Sequence, residues 1–117
     1  MVDVDANVDM SEYYITELPI SFGRINGYFN VLYSDLTTLK GSPDYIGGYF
    51  NCKNNNLVSL DYFPQTILGK IHLDGNYIGL NEFIKLFNLG YTPDQIKYEE
   101  NLYILYRKFI VNKICNE

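Results

Sequence analysis

The sequence predicts a short α+β solenoid: one parallel β-sheet of about four strands, capped by C-terminal helices. Three observations carry this. Gly27-Tyr28-Phe29-Asn30 returns as Gly48-Tyr49-Phe50-Asn51, an offset of 21 residues. The same offset aligns apolar residues in shared columns from about residue 4 to residue 80. Beyond that point the repeat gives way to helix punctuation.

The columns come in a fixed order. Val8, Phe29, Phe50 and Ile71 form the first, and Met10, Val31, Cys52 and Leu73 the next. Tyr13, Ser34, Asn55 and Asn76 follow, then Ile15, Leu36, Leu57 and Ile78. Leu18, Leu39 and Leu60 are succeeded by Phe22, Pro43 and Pro64, by Ile25, Ile46 and Ile67 with Val4 ahead, and by Gly27, Gly48 and Gly69 with Ala6 ahead. Expected coils run over about 4–24, 25–45, 46–66 and 67–80, with residues 81–117 as a helical cap.

Each column has a physical reading. Apolar-x-apolar is a period-two strand with one buried face, and stacked coils pair such strands in parallel at roughly 4.8 Å. The chain then turns inward and would bury unpaired backbone groups. An Asn side chain both donates and accepts, so Asn55 and Asn76 are expected to form a ladder inside the turn. Leu-x-x-Leu and Pro-x-x-Ile complete the far side of the coil, and the glycine allows a tight return into the next strand. One coil cannot bury its own apolar face, so several must stack.

The unit apolar-x-apolar-x-x-Asn-x-Leu-x-x-Leu, best seen over Phe50–Leu60, resembles the strand signature of the leucine-rich-repeat family. The 21-residue length is similar to that of short bacterial and phage-encoded repeats. Tyr13 and Ser34 depart from it where Asn is expected, and Cys52 stands in an aliphatic slot. The resemblance implies a curved parallel sheet whose concave face binds another macromolecule.

The ends need closure. The first coil matches the pattern least, and Asp3, Asp5, Asp9 and Glu12 are expected to keep its open edge soluble. Asn81–Gly90 reads as a short helix with Asn81 as N-cap and Gly90 as its stop. Thr92-Pro93-Asp94-Gln95 carries the marks of a second helix start, predicting a helix from about 93 to 114, interrupted near Tyr98. Leu102, Leu105, Tyr106, Phe109, Ile110 and Ile114 form its core stripe. Tyr103, Ile104 and Val111 lie off that stripe, which fits either a deeply packed helix or a second contact face. A strand over Leu102–Val111 is the lesser alternative.

Composition narrows the function classes. A net charge of −5 without clustered bases, apart from Arg107-Lys108, disfavours nucleic acid. No apolar run is long enough to span a membrane, and the acidic start is not a secretory signal, so the cytoplasm is expected (the host's, if the chain is viral). Cys52 and Cys115 read as reduced thiols. Twelve tyrosines and no tryptophan suit half-buried contact positions, although an AT-rich coding sequence would also enrich tyrosine.

Function is expected on the outward residues of the strands. They stack as Asn7, Tyr28, Tyr49, Lys70; Asp9, Asn30, Asn51, His72; Ser11, Leu32, Lys53, Asp74; and Glu12, Tyr33, Asn54, Gly75. Tyr28, Tyr49, Asn30, Asn51, Leu32, Tyr33, Lys53 and His72 are the candidate partner-binding residues, with ordinary cross-strand stacking as the alternative reading. The face measures roughly 14 by 17 Å, well short of the roughly 800 Å² per partner of a stable interface, so edges or helix must contribute.

Chemistry is not expected. The one histidine, His72, falls one coil from Cys52 but on the opposite parity, so the two point to opposite faces. No phosphate loop, metal motif or nucleophile elbow occurs, and no cofactor is indicated. The expectation is a non-enzymatic protein-binding module, by analogy with phage proteins an inhibitor of a host enzyme or host-defence protein. An oligomeric binder of a nucleotide or sugar is the alternative, and self-association through the C-terminal helix a further possibility.

Overall fold

The computed structural model describes residues 1–116. Its strands are β1 (Val2–Val4), β2 (Val8–Asp9), β3 (Phe22–Ile25), β4 (Phe29–Asn30), β5 (Tyr45–Ile46), β6 (Phe50–Asn51), β7 (Thr66–Ile67), β8 (Ile71–His72) and β9 (Ile96–Lys97). Its helices are α1 (Phe83–Asn88), entered through a 3-10 turn at Leu80–Glu82, and α2 (Tyr103–Cys115). All strand pairs are parallel, and the chain is a β-solenoid of about five turns.

The column residues occupy successive rungs. Val8 pairs with Phe29, Phe29 with Phe50, and Phe50 with Ile71. Phe29, Phe50 and Ile71 are fully buried, and the two rings stack at 5.6 Å. Val31, Cys52 and Leu73 fill the next core layer, and Leu36, Leu57, Leu39 and Leu60 the opposite wall. Cys52 fits its slot as a small apolar residue, and burial pushes its thiol well above its usual value.

The expected inner ladder is present. Asn55 Oδ1 accepts the Ser34 and Leu36 N–H groups, each at 3.0 Å, and Nδ2 donates to Val31 O at 2.9 Å and Cys52 O at 3.0 Å. Asn76 repeats this one coil on, accepting from Leu57 N–H at 3.1 Å and donating to Cys52 O at 2.9 Å and Leu73 O at 3.0 Å. Ser34 keeps part of the function, since its hydroxyl donates to Met10 O at 2.7 Å. Tyr13 keeps none of it and lies in solvent.

The sheet count differs from the expected single sheet of about four strands. Val4, Ile25, Ile46 and Ile67 form a second parallel ladder, giving one sheet ordered β1-β3-β5-β7 and another ordered β2-β4-β6-β8-β9. The glycine column lies between the two ladders. None of Gly27, Gly48 and Gly69 has a positive φ. The requirement is close approach: a Cβ on Gly48 would sit 2.8 Å from Tyr28 N, and one on Gly69 would sit 2.6 Å from Gly48 C.

The C-terminal segment departs further from expectation. Asn81 is not a helix cap; it lies inside the 3-10 turn, whose flanking Gly79 makes no side-chain cap. Gly90 is the expected stop, with φ 102°, the Gly90 N–H on Phe87 O and the Tyr91 N–H on Leu86 O. Thr92-Pro93-Asp94-Gln95 forms a turn, not a helix start, with Gln95 N–H on Thr92 O and Ile96 N–H on Pro93 O. It delivers β9 as a fifth rung, Ile71 opposite Ile96 and His72 opposite Lys97. That coil takes 25 residues where the others take 21, the additional length being accommodated by α1.

Only from Tyr103 does the last helix begin, so the strand alternative over Leu102–Val111 is not adopted. Leu102 is buried, and Tyr106 and Phe109 pack on Phe87 at 5.0 and 5.6 Å. No residue of α2 itself is fully buried. Its off-stripe residues are therefore exposed and not deeply packed.

Candidate binding face

The larger sheet presents its outward side chains as continuous columns. Tyr28 and Tyr49 stack face to face, 4.6 Å between centroids and 7° between planes. His72 meets the Tyr49 ring edge-on at 6.4 Å. The Tyr28 N–H is held by Asn7 Oδ1 at 2.9 Å. Four half-buried groups (Tyr28, Tyr49, Asn51 and His72) thus share one rigid patch on β4, β6 and β8.

The second column has a structural duty as well. Asp9, Asn30 and Asn51 each accept, through Oδ1, the backbone N–H two residues on, from Ser11, Leu32 and Lys53 at 2.9, 3.1 and 3.0 Å. These local bonds end each strand and start its inward turn. The Asn30 and Asn51 carboxamide oxygens are therefore engaged in these turns. The Ser11 hydroxyl and N–H hold the Asp9 carboxyl below its usual range.

Leu32 and Lys53 lie just beyond the strands and are half-buried, and Tyr33 is exposed. Tyr33 stands in a column that sequence did not mark as special. Glu12, Tyr33, Asn54 and Gly75 have φ of 61°, 53°, 58° and 76°. Each of the first four coils makes its inward turn with a left-handed residue here. Asn and Gly suit that conformation; Glu and Tyr do not.

Charge divides the face. Asp9 lies at one end, and Lys53, Lys70 and Lys97, with Asp74 among them, surround His72 at the other. Burial, reinforced by Lys53, holds the His72 imidazole below its ordinary value. Burial and the neighbouring Tyr28 push the Tyr49 phenol up. Lys97 is the site residue that sequence missed, because β9 was hidden inside an expected helix. Asp74 Oδ1, one coil from Lys53, is buried without a hydrogen-bond partner. Lys70 donates to Asp94 O at 2.7 Å, and beside it a hollow of about 290 Å³ is lined by Leu68, Gly69, Lys70, Thr92, Asp94 and Gln95.

Cys52 and His72 do point to opposite sides: Cys52 is fully buried and His72 is on the outer face. Among the described residues no group of three or more His, Cys, Asp or Glu side chains is placed to hold a metal ion. Among the described residues no helix is long and apolar enough to cross a membrane. The chain matches no protein-family model, no curated protein and no solved structure. Its class rests on the coils themselves.

Proposed function

We propose that this solenoid is a non-enzymatic protein-binding module of leucine-rich-repeat type, gripping its partner through the Tyr28–Tyr49–His72 face. The observation that carries the reading is the tyrosine stack on a rigid parallel ladder. Aromatic anchors fixed before binding lose little entropy on contact, which is what a hot spot requires. The Lys53–Lys70–Lys97 end favours a partner that brings a carboxylate beside the rings. Five rungs span roughly 19 Å, still a small face, so the contact extends over the adjoining edge near Lys70.

The sharper form of the proposal, an inhibitor of a host enzyme or host-defence protein acting in the host cytoplasm, rests on the resemblance to phage-type repeats alone. The alternative, capture of a nucleotide or sugar, is less well served by the geometry. With the two rings in direct contact at 4.6 Å, a flat ligand has no slot between them and would have to lie outside the pair.

Two measurements test the module. Tagged protein should capture one dominant partner from host lysate, and Tyr28→Ala with Tyr49→Ala should lose it while keeping the circular dichroism of the parent. His72 is the sole histidine, so its imidazole resonances report the face directly. Binding of an acidic partner surface should shift them and raise the histidine's pKa. Capture unchanged in the double variant, with a silent His72, would remove the site from this face.

A further inference from the structure

The two ends of the solenoid are unlike in charge and in closure. Residues 1–21 hold five of the fourteen acids and none of the nine lysines and arginines, so the remaining chain is balanced, nine against nine. All five, Asp3, Asp5, Asp9, Glu12 and Glu17, are exposed. The same coil is open. Val8 and Met10 donate their N–H groups to Tyr28 O and Asn30 O, which leaves the amide and carbonyl of Asp9 directed at the free edge. Val4, Val8, Met10 and Ile15 are only partly buried, covered by the next coil on one side. Among the described residues nothing covers the other.

The far end has the opposite character. α2 lies over it with Tyr106 and Phe109 packed inward on Phe87. At 100° per residue the opposite side of the helix presents Ile104, Arg107, Lys108 and Val111. Ile104 and Val111 are 59% and 56% exposed, and both bases are exposed. From Asn101 to Asn116 there are three bases and no acid. Two copies of this helix face would repel each other, as would two copies of the first coil. One of each is complementary: an apolar stripe flanked by cations against an apolar edge flanked by Asp9, Glu12 and Glu17, Asp3 and Asp5 being turned back to accept from Arg24 N–H and Asn26 Nδ2 of the second coil.

We propose that the open first coil docks on the outer face of α2 in a second copy, so that one helix caps its own stack on one side and a neighbour's on the other. The contact is heterologous and does not close on itself, so copies join head to tail in open chains. A body with shorter extents of 25 and 19 Å offers on the order of 400 Å² at an end, about half of an ordinary stable interface. The association is therefore weak, concentration-dependent and sensitive to salt. It uses neither Tyr28 nor Tyr49 and stands apart from the binding module proposed above.

Sedimentation velocity on the full chain tests it with two charge reversals at exposed positions. One variant carries Glu12→Lys and Glu17→Lys; the other carries Arg107→Glu and Lys108→Glu. The parent should sediment faster as concentration rises at low salt and return to monomer in high salt. Each variant alone should associate roughly tenfold more weakly or not at all. An equimolar mixture should regain association, because each variant then meets the opposite charge in the other. A parent that stays monomeric, association indifferent to salt and to both reversals, or a mixture that stays monomeric overturns the proposal. So does a monomeric parent that instead floats with anionic vesicles, which would give the α2 face to lipid.

Discussion

Asn55→Ala removes the centre of the inner ladder. Asn55 is 3% exposed and satisfies four backbone groups at once, the Ser34 and Leu36 N–H and the Val31 and Cys52 carbonyls. Each such group left buried and unpaired costs roughly 1–3 kcal/mol. Cys52 O keeps its bond from Asn76, so three groups lose their partner, and three at that rate would rival much of the stability of a small domain, roughly 5–15 kcal/mol. Water entering the vacated space will reach some of them, so the expected loss is about 3–5 kcal/mol. For a chain of this size that is a fall in Tm of roughly 12–20 °C. Urea denaturation followed by circular dichroism should show a lower midpoint with an unchanged slope. Asn55→Ser should recover part of the loss, because Ser34 already shows a hydroxyl reaching the preceding coil's carbonyl at 2.7 Å. Asn76→Ala should be milder, since Asn76 satisfies three groups and lies closer to the surface at 8% exposed. An Asn55→Ala protein that melts with the parent, or an Asn55→Ser protein no better than the alanine, would refute the ladder as a source of stability.

Three further outcomes are expected. Gly48→Ala should destabilise by roughly 1–3 kcal/mol, because the backbone 2.8 Å away cannot yield, whereas Gly79→Ala, with open space around it, should change the melting temperature little. Tyr33→Asn should stabilise by about 0.5–1 kcal/mol by placing a tolerant residue at φ 53°, as Asn54 does one coil on; a loss of stability in thermal melts would count against strain at this site. Because burial lowers His72 below its ordinary 6.5, the unfolded chain protonates first as pH falls. Stability should therefore decline as pH falls through about 6.5 until the folded value is passed, and His72→Gln should flatten that part of the Tm–pH curve.

The larger sheet was legible because its columns are chemically extreme: Phe29, Phe50 and Ile71 must be buried, and Asn55 and Asn76 have one sensible use inside a coil. The second ladder was read only as the coil's far side. It offers one apolar column, Val4, Ile25, Ile46 and Ile67, with no second column at period two to mark a strand, and Ile46 and Ile67 pair by position in the stack. The fifth rung escaped because its coil is 25 residues long and its entrance imitates a helix. Thr-Pro-Asp-Gln serves a turn as well as a cap, and here the Gln95 carboxamide donates to Gly69 O at 2.9 Å, a bond sequence cannot reveal. Of the candidate face, Tyr28, Tyr49, Asn30, Asn51 and His72 were placed together by parity alone. The engagement of the Asn oxygens, the left-handed column through Tyr33 and the arrival of Lys97 all depend on backbone geometry between coils.

Everything rests on which N–H bonds to which carbonyl between coils, and scalar couplings across hydrogen bonds read that directly. A long-range HNCO experiment on labelled protein should connect Val8 N to Tyr28 C′, Phe29 N to Tyr49 C′, Phe50 N to Lys70 C′ and Ile71 N to Gln95 C′. Steps of twenty residues three times and then twenty-four are the signature of equal coils closed by a longer last one. Correlations at any other spacing, or an antiparallel pattern among these residues, would contradict the solenoid and with it the face and both ends built upon it.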